Sequence, residues 1–245
     1  MKKETETRRA TRSARTVAAA APLKSAARGR GRPLSFDRET ELDKAMHVFW
    51  ERGYEAASIA DLTAAMGITP PSLYTAFGDK EHLFLEAIEA YGRGPGAFGA
   101  RALAEEPTAR GAVQRLLVEA AAELTQDCHP LGCMMVCSVA AVHVQAALTR
   151  RRALGVESMQ ARIQRGIDEG ELPASADASA LANFYATVYQ GMSMQAKDGA
   201  TPESLLASVD MAMRSWPDST LRSAPSVQRR PRPRSPVKRA RTAAS

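Results

Sequence analysis

The run Ser58 to Lys80, SIADLTAAMGITPPSLYTAFGDK, constrains this chain more than any other stretch, because it spells two short helices and leaves only a few residues to join them. Ser58 can cap a first helix, with Asp61 set against the positive end of its dipole. Ile59, Leu62 and Ala65/Met66 share one face, so that helix buries a stripe. Gly67 stands where a helix end wants a left-handed residue, and Thr69 can cap a second helix with Pro70 at its first position. Leu73 and Phe77 stack inward at i, i+4, which leaves Pro71, Ser72, Tyr74 and Thr75 outward. Gly78 stops this helix and Asp79 caps the next. So short a link between two such helices predicts a helix-turn-helix.

The flanks extend the pattern. Asp37 can cap an earlier helix in which Leu42, Ala45, Met46 and Phe49 recur at i, i+3, i+4, i+7, with Trp50 widening the stripe and Gly53 ending it. Downstream, Phe84, Ala87, Ile88 and Tyr91 mark the inner face of a fourth helix. Taken together, FWERGYEAASIADLTAAMGITPPSLYTAFGDKEHLF resembles the N-terminal domain of tetracycline-repressor (TetR/AcrR-type) transcriptional regulators along its whole length.

That resemblance implies an all-α protein. A three-helix DNA-binding head with its linking helix would occupy residues 35–91, and a helical effector-binding and dimerisation body residues 100–217. It also implies DNA contacts from Ser58, Thr69, Pro70, Pro71, Ser72, Tyr74, Thr75 and Lys80. Of these, residues 69 to 72 would lie near the bases, Tyr74 and Thr75 on the backbone, and Lys80 on a phosphate at a helix start. Direct base readout is thin, because prolines donate no hydrogen bonds and the second helix lacks the Arg, Asn or Gln of bidentate base recognition. Thymine methyl contact or DNA shape must carry more of the specificity.

Charge gives an independent line. Residues 1–34 carry ten Lys/Arg against two Glu, and residues 219–245 carry eight Lys/Arg and no acid; since the whole chain is only +6, the stretch between is acidic by ten charges. Both ends are rich in Ala, Ser, Pro and Arg with almost no large apolar residues, a composition that predicts disordered tails, 1–34 and 218–245. Such tails bind DNA by counterion release or simply solvate the protein. Arg30, Gly31, Arg32 and Pro33 spell RGRP, similar to the core of an AT-hook, in which an extended Arg-Gly-Arg lies along a narrow A·T minor groove. Arg30 and Arg32 thereby join the expected DNA contacts. An Arg- and Ser-rich start also fits a transit peptide, against which Glu4, Glu6 and the regulator pattern argue. No apolar run approaches membrane-spanning length, so a cytoplasmic protein is expected.

The body reads as helical throughout. Leu116, Leu117 and Leu124 sit in a helix after Thr108, Leu131 to Gln145 is a strongly apolar run, and Ala146 to Glu169 presents Arg150, Arg151, Arg152, Arg162 and Arg165 on a more polar surface. Asp177 to Ala196 and Pro202 to Trp216 form the last two helices. By resemblance, these two pair with their copies to make a homodimer, which two recognition helices on successive groove faces require. The resemblance also places a small-molecule pocket in the body, with Met134, Met135, Val136, Val142, Phe184, Tyr185, Tyr189 and Met192 as lining residues; apolar stripes of this kind also serve as ordinary core.

Three cysteines, Cys128, Cys133 and Cys137, are too few and too odd for a disulfide framework. They read as buried small hydrophobes or as a redox or electrophile sensor near the pocket. C-x4-C-x3-C is not a zinc spacing, and no phosphate loop, nucleophile elbow or acid/base constellation is present, so no metal, no cofactor and no catalytic activity are expected. Two functions remain: a sequence-specific transcriptional regulator, a repressor released by a small-molecule effector, or an architectural DNA-binding protein that relies on its basic tails and has no ligand.

Overall fold

The computed structural model describes residues 36–138 and 142–217, with the side chains of 142 and 143 outside that description. The basic arm with Arg30 and Arg32, the 218–245 tail and the side chain of Val142 therefore lie outside the described residues. Those described are helical, without a strand.

Helix α1 (Arg38–Ala56) starts at Asp37, whose carboxylate accepts from the amides of Glu39 and Thr40. Gly53 interrupts it with φ 76°, so the helix kinks there and one further turn follows before Ala57. Helix α2 (Ile59–Met66) carries a complete capping box: the Ser58 hydroxyl accepts from the Asp61 amide at 3.1 Å, and the Asp61 carboxylate accepts from the Ser58 amide at 3.0 Å. Gly67 ends it at φ 67°, ψ 26°, a left-handed conformation that glycine adopts without steric cost. Helix α3 (Pro70–Phe77) follows after Ile68 and the Thr69 cap, and α4 (Lys80–Arg93) after the Asp79 cap.

Residues 95–97 make a single 3₁₀ turn leading into α5 (Phe98–Glu105), a helix the sequence pattern does not announce. Then come α6 (Ala109–Glu123), α7 (Met134–Cys137), α8 (Val142–Asp168), α9 (Ala178–Lys197) and α10 (Pro202–Met213). The apolar run Leu131 to Gln145, read as one helix, is instead broken. Only Met134–Cys137 is helical before Ser138 turns extended, and α8 begins at Val142 rather than Ala146. Tertiary bonds hold the stretch before α7 out of a helix. The Gly132 carbonyl accepts from Trp50 Nε1 at 2.9 Å, and the Cys133 amide donates to Ser193 Oγ at 2.8 Å, so both backbone groups serve other helices. Gly132 sits at φ 77° with its backbone against Ser193, where a Cβ would lie 2.8 Å from the Ser193 carbonyl oxygen.

A second correction concerns the arginines of α8. Arg162 is not on the polar surface but buried, donating to the Pro107 carbonyl at 2.9 Å with Glu171 at 3.5 Å. These partners tie α8 to the start of α6, while Arg162 Nε and Nη1 have no hydrogen-bond partner in the described structure.

One apolar core runs through head and body. Leu42, Met46, Phe49, Leu62, Met66, Leu73, Phe77, Leu83 and Phe84 are all buried within the first four helices. Trp50 joins them to the body, edge-on to Tyr91 at 4.8 Å and stacked on His129 at 4.4 Å. Among the described residues, no helix is long and apolar enough to cross a membrane.

Candidate nucleic-acid interface and body cavity

Helix α3 is held from behind so that its outer face is free. Leu73 and Phe77 anchor it in the core, at 0% and 3% exposure, while Thr69, Pro70, Pro71, Tyr74 and Thr75 are exposed and Ser72 is half-buried. Tyr74, at 50% exposure, is the one aromatic presented by this helix. The hydroxyls around it are occupied internally: Thr69 Oγ1 accepts from the Ser72 amide and lies 3.0 Å from Ser72 Oγ, and Thr75 Oγ1 donates to the Pro71 carbonyl at 2.7 Å. With prolines at the first two positions and the Ser72 amide capped, the start of α3 has little backbone N–H left to offer a phosphate.

Ser58 is likewise committed, since its hydroxyl also donates to Asp61 Oδ2 at 2.6 Å. Those bonds, with Arg52 at 2.6 Å from Asp61, hold the Asp61 carboxyl down to about 2. Lys80 lies over the Tyr54 ring at 4.4 Å, with Nζ 3.5 Å from the Glu55 carbonyl, so its ammonium is positioned by the end of α1.

Sequence reasoning missed the strut behind α3. Arg38, at the start of α1, donates through Nη2 to both oxygens of Glu86 on α4, each at 2.7 Å, through Nε to the Ala76 carbonyl at 3.2 Å, and lies 4.5 Å from the centre of the Phe77 ring. One guanidinium thus joins α1, the end of α3 and α4. Partners 38 and 48 residues apart leave no local signal.

In the body, α4, α5, α6, α7, α8 and α9 line a partly open cavity of about 300 Å³. Its wall is mostly apolar, with Tyr91, Phe98, Leu103, Leu116, Val156 and Met159 prominent. Of the expected lining residues, Met135, Val136 and Tyr189 are in this wall. Met134 is instead packed in the core, and Tyr185 is buried against Trp216 with its hydroxyl 3.3 Å from the Ala212 carbonyl. Phe184 and Met192 line a separate outer groove between α9 and α10. Helix periodicity shows which residues turn inward, but not which interior gap they meet.

Cys133 is also in the cavity wall, beside Tyr91 and Tyr189. Burial, reinforced by that thiol, pushes both phenols well above their ordinary value, so they stay neutral. Cys137 is buried with Sγ 3.3 Å from Ser193 Oγ, Cys128 is exposed, and all three thiols are free. No group of three or more His, Cys, Asp or Glu among the described residues is placed to hold a metal. Arg151 and Arg152, which sequence reading left on a polar surface, bring positive charge to one side of the cavity.

The comparisons agree with this geometry. Residues 42–87, from within α1 to within α4, match the model for bacterial regulatory proteins of the tetR family. The chain is 34% identical over 197 residues to the HTH-type transcriptional repressor ComR of Escherichia coli, covering 78% of this chain and 94% of ComR. It is 30% identical to the repressor BdcR of the same organism, over 74% of this chain and 90% of BdcR. Among solved structures, the TetR family transcriptional regulator CifR, in a cysteine-substituted form complexed with 26-base-pair operator DNA, superposes with TM-score 0.73 at 46% identity. That match covers 76% of this chain and all of that one. An exposed second helix on a strutted three-helix head, joined by α4 to a hollow helical body, and relatives matched over nearly their whole length place this chain in the tetR family of bacterial regulatory proteins.

Proposed function

We propose that the protein is a transcriptional repressor that binds operator DNA as a homodimer through α3 and leaves it when a small molecule enters the body cavity. The observation that carries this reading is the placement of α4, which lines the cavity through Tyr91 and Gly92 and holds the head through Glu86 and Arg38. A ligand with different affinity for two positions of α4 shifts the separation of two heads. CifR's complex with operator DNA and the repressor names of ComR and BdcR support the DNA half of the reading.

The dimer half is supported by the outer face of α9 and α10. Phe184, Met194, Leu206 and Met211 are exposed there at 44%, 46%, 37% and 63%. Phe184 and Met211 meet in the groove between these two helices, and exposed apolar side chains so placed are of the kind that marks a protein interface.

Selection of bound duplexes from a random pool, followed by fluorescence anisotropy, tests the proposal. Tyr74→Ala is expected to weaken operator binding by about 1–3 kcal/mol without changing the fold, and Lys80→Ala to reduce the salt slope by about 1. Recovery of no preferred sequence, or a monomer by sedimentation at binding concentrations, would sink it. Tails deleted, the protein should retain sequence preference; retention only of salt-sensitive, sequence-blind binding would favour an architectural role.

A further inference from the structure

Most polar groups in the cavity wall are already used. Arg152 donates through Nη1 to the Met135 carbonyl at 2.8 Å and through Nη2 to Thr149 Oγ1 at 3.2 Å. Arg151 pairs with Glu89, and that pair lines a separate outer groove between α4 and α8, while the remaining Arg151 Nε is sealed away from any ligand. Ser158 Oγ donates to the Leu154 carbonyl at 2.8 Å, and Gln190 is exposed. An anion entering this cavity gives up its water and finds no free cation to replace it.

Tyr91 on α4 and Tyr189 on α9 are different. Both stand in the wall as neutral phenols, and each meets the Cys133 thiol. The Met134 amide is on the acceptor side of the Tyr91 oxygen, which leaves the Tyr91 O–H still to be met. Sulfur is a weak acceptor, so two O–H donors share one poor partner in an otherwise apolar space walled by Phe98, Leu103, Leu116, Val156 and Met159.

We infer that the ligand of this cavity is uncharged, with an apolar body and one carbonyl-type oxygen that accepts hydrogen bonds from Tyr91 and Tyr189. This rests on the reading that the cavity takes the effector. A hydrocarbon fills the volume but gives the phenols nothing, and a carboxylate brings a charge that nothing in the wall neutralises. A carbonyl oxygen has two lone pairs, one for each phenol. An oxygen held in this way joins α4, the helix whose Glu86 is gripped by Arg38, to α9. Ligand affinity then depends on where α4 stands, which is the differential affinity that release from DNA requires.

The test is calorimetry on the full chain with three molecules of one shape: 4-phenyl-2-butanone, butylbenzene, which has a methylene in place of the carbonyl, and 3-phenylpropanoate, which has a charged oxygen in place of the methyl. The ketone is expected to bind about tenfold more tightly than either of the others. Tyr91→Phe and Tyr189→Phe should each weaken ketone binding by about fivefold and leave butylbenzene binding unchanged, which shows that the cavity is intact. With both substitutions, the ketone should bind no better than butylbenzene. Butylbenzene or 3-phenylpropanoate binding as tightly as the ketone, or phenylalanine variants with unaltered ketone affinity, would overturn the assignment and leave the effector cavity standing. If none of the three binds, both fall together.

Discussion

The head and the body are built on different terms. In the head, every helix begins on a side chain that accepts a backbone N–H, from Asp37, Ser58, Thr69 and Asp79 in turn, and Gly53, Gly67 and Gly78 mark the turns. In the body, α6, α9 and α10 begin in the same way on Thr108, Asp177 and Thr201, but α5 and α7 start with no side-chain cap, and their positions are fixed by what they touch in other helices. The head encloses a filled core of large side chains, and the body keeps a cavity. A helix-turn-helix must present one face reproducibly to DNA, so local instructions suit it.

The largest expected effect lies in truncating a core anchor. Leu73→Ala, at a fully buried site behind α3, should cost about 3 kcal/mol in urea denaturation. Met135→Ala, in the half-buried cavity wall, should cost on the order of 1 kcal/mol, because part of that surface already faces empty space. Equal costs would erase the distinction between a filled head and a hollow body.

The seam between the two regions comes next. Trp50→Phe leaves the Gly132 carbonyl without its donor and should cost about 1–2 kcal/mol. A single transition by both fluorescence and circular dichroism is still expected, because one core spans head and body. Two separate transitions would mean that the seam is weaker than its packing indicates.

Caps should have smaller effects. Ser58→Ala or Thr69→Ala should each lower stability by about 1 kcal/mol in thermal or chemical denaturation. No equivalent position exists at the start of α5, where alanine already stands at residue 97. If both cap variants match the unaltered protein, local instruction is not what sets the head.

The smallest effect is in pH. The Ser58 bonds and Arg52 hold the Asp61 carboxyl at about 2, below its ordinary value, so its contribution is complete above that ordinary value and is lost as pH falls toward 2. His82 behaves oppositely. Its bond to Asp79 raises it, so the contribution is complete below the ordinary imidazole value and disappears as pH rises through the raised one. Carboxyl and imidazole titrations by NMR should show Asp61 moving up in Ser58→Ala and His82 moving down in Asp79→Asn.

How much of this was legible differs by residue. Caps at 37, 58, 69 and 79 and inward positions 62, 66, 73 and 77 follow from neighbours within four residues, and all were readable. The broken run at 131–145 was not, because Trp50 and Ser193, which claim its backbone, are 82 and 60 residues from their partners. Met135, Val136 and Tyr189 were expected in the pocket and meet there, but Phe184 and Tyr185 sit on the same helix as Tyr189 and face an outer groove and the core. Arg38, Arg151 and Arg162 were all missed as connectors for the same reason: their carboxylate or carbonyl partners lie 38 to 62 residues away.

The sequence by itself determined the helix-turn-helix, its caps, its buried stripe and the outward face of α3, since short-range hydrogen bonds and helical periodicity are written in consecutive residues. Only the tertiary structure decided where the cavity lies, which arginines line it and how α4 connects it to α3. Those depend on a few pairings between distant residues, and an unmet hydrogen-bond donor such as Arg151 Nε exists only once every other partner has been placed.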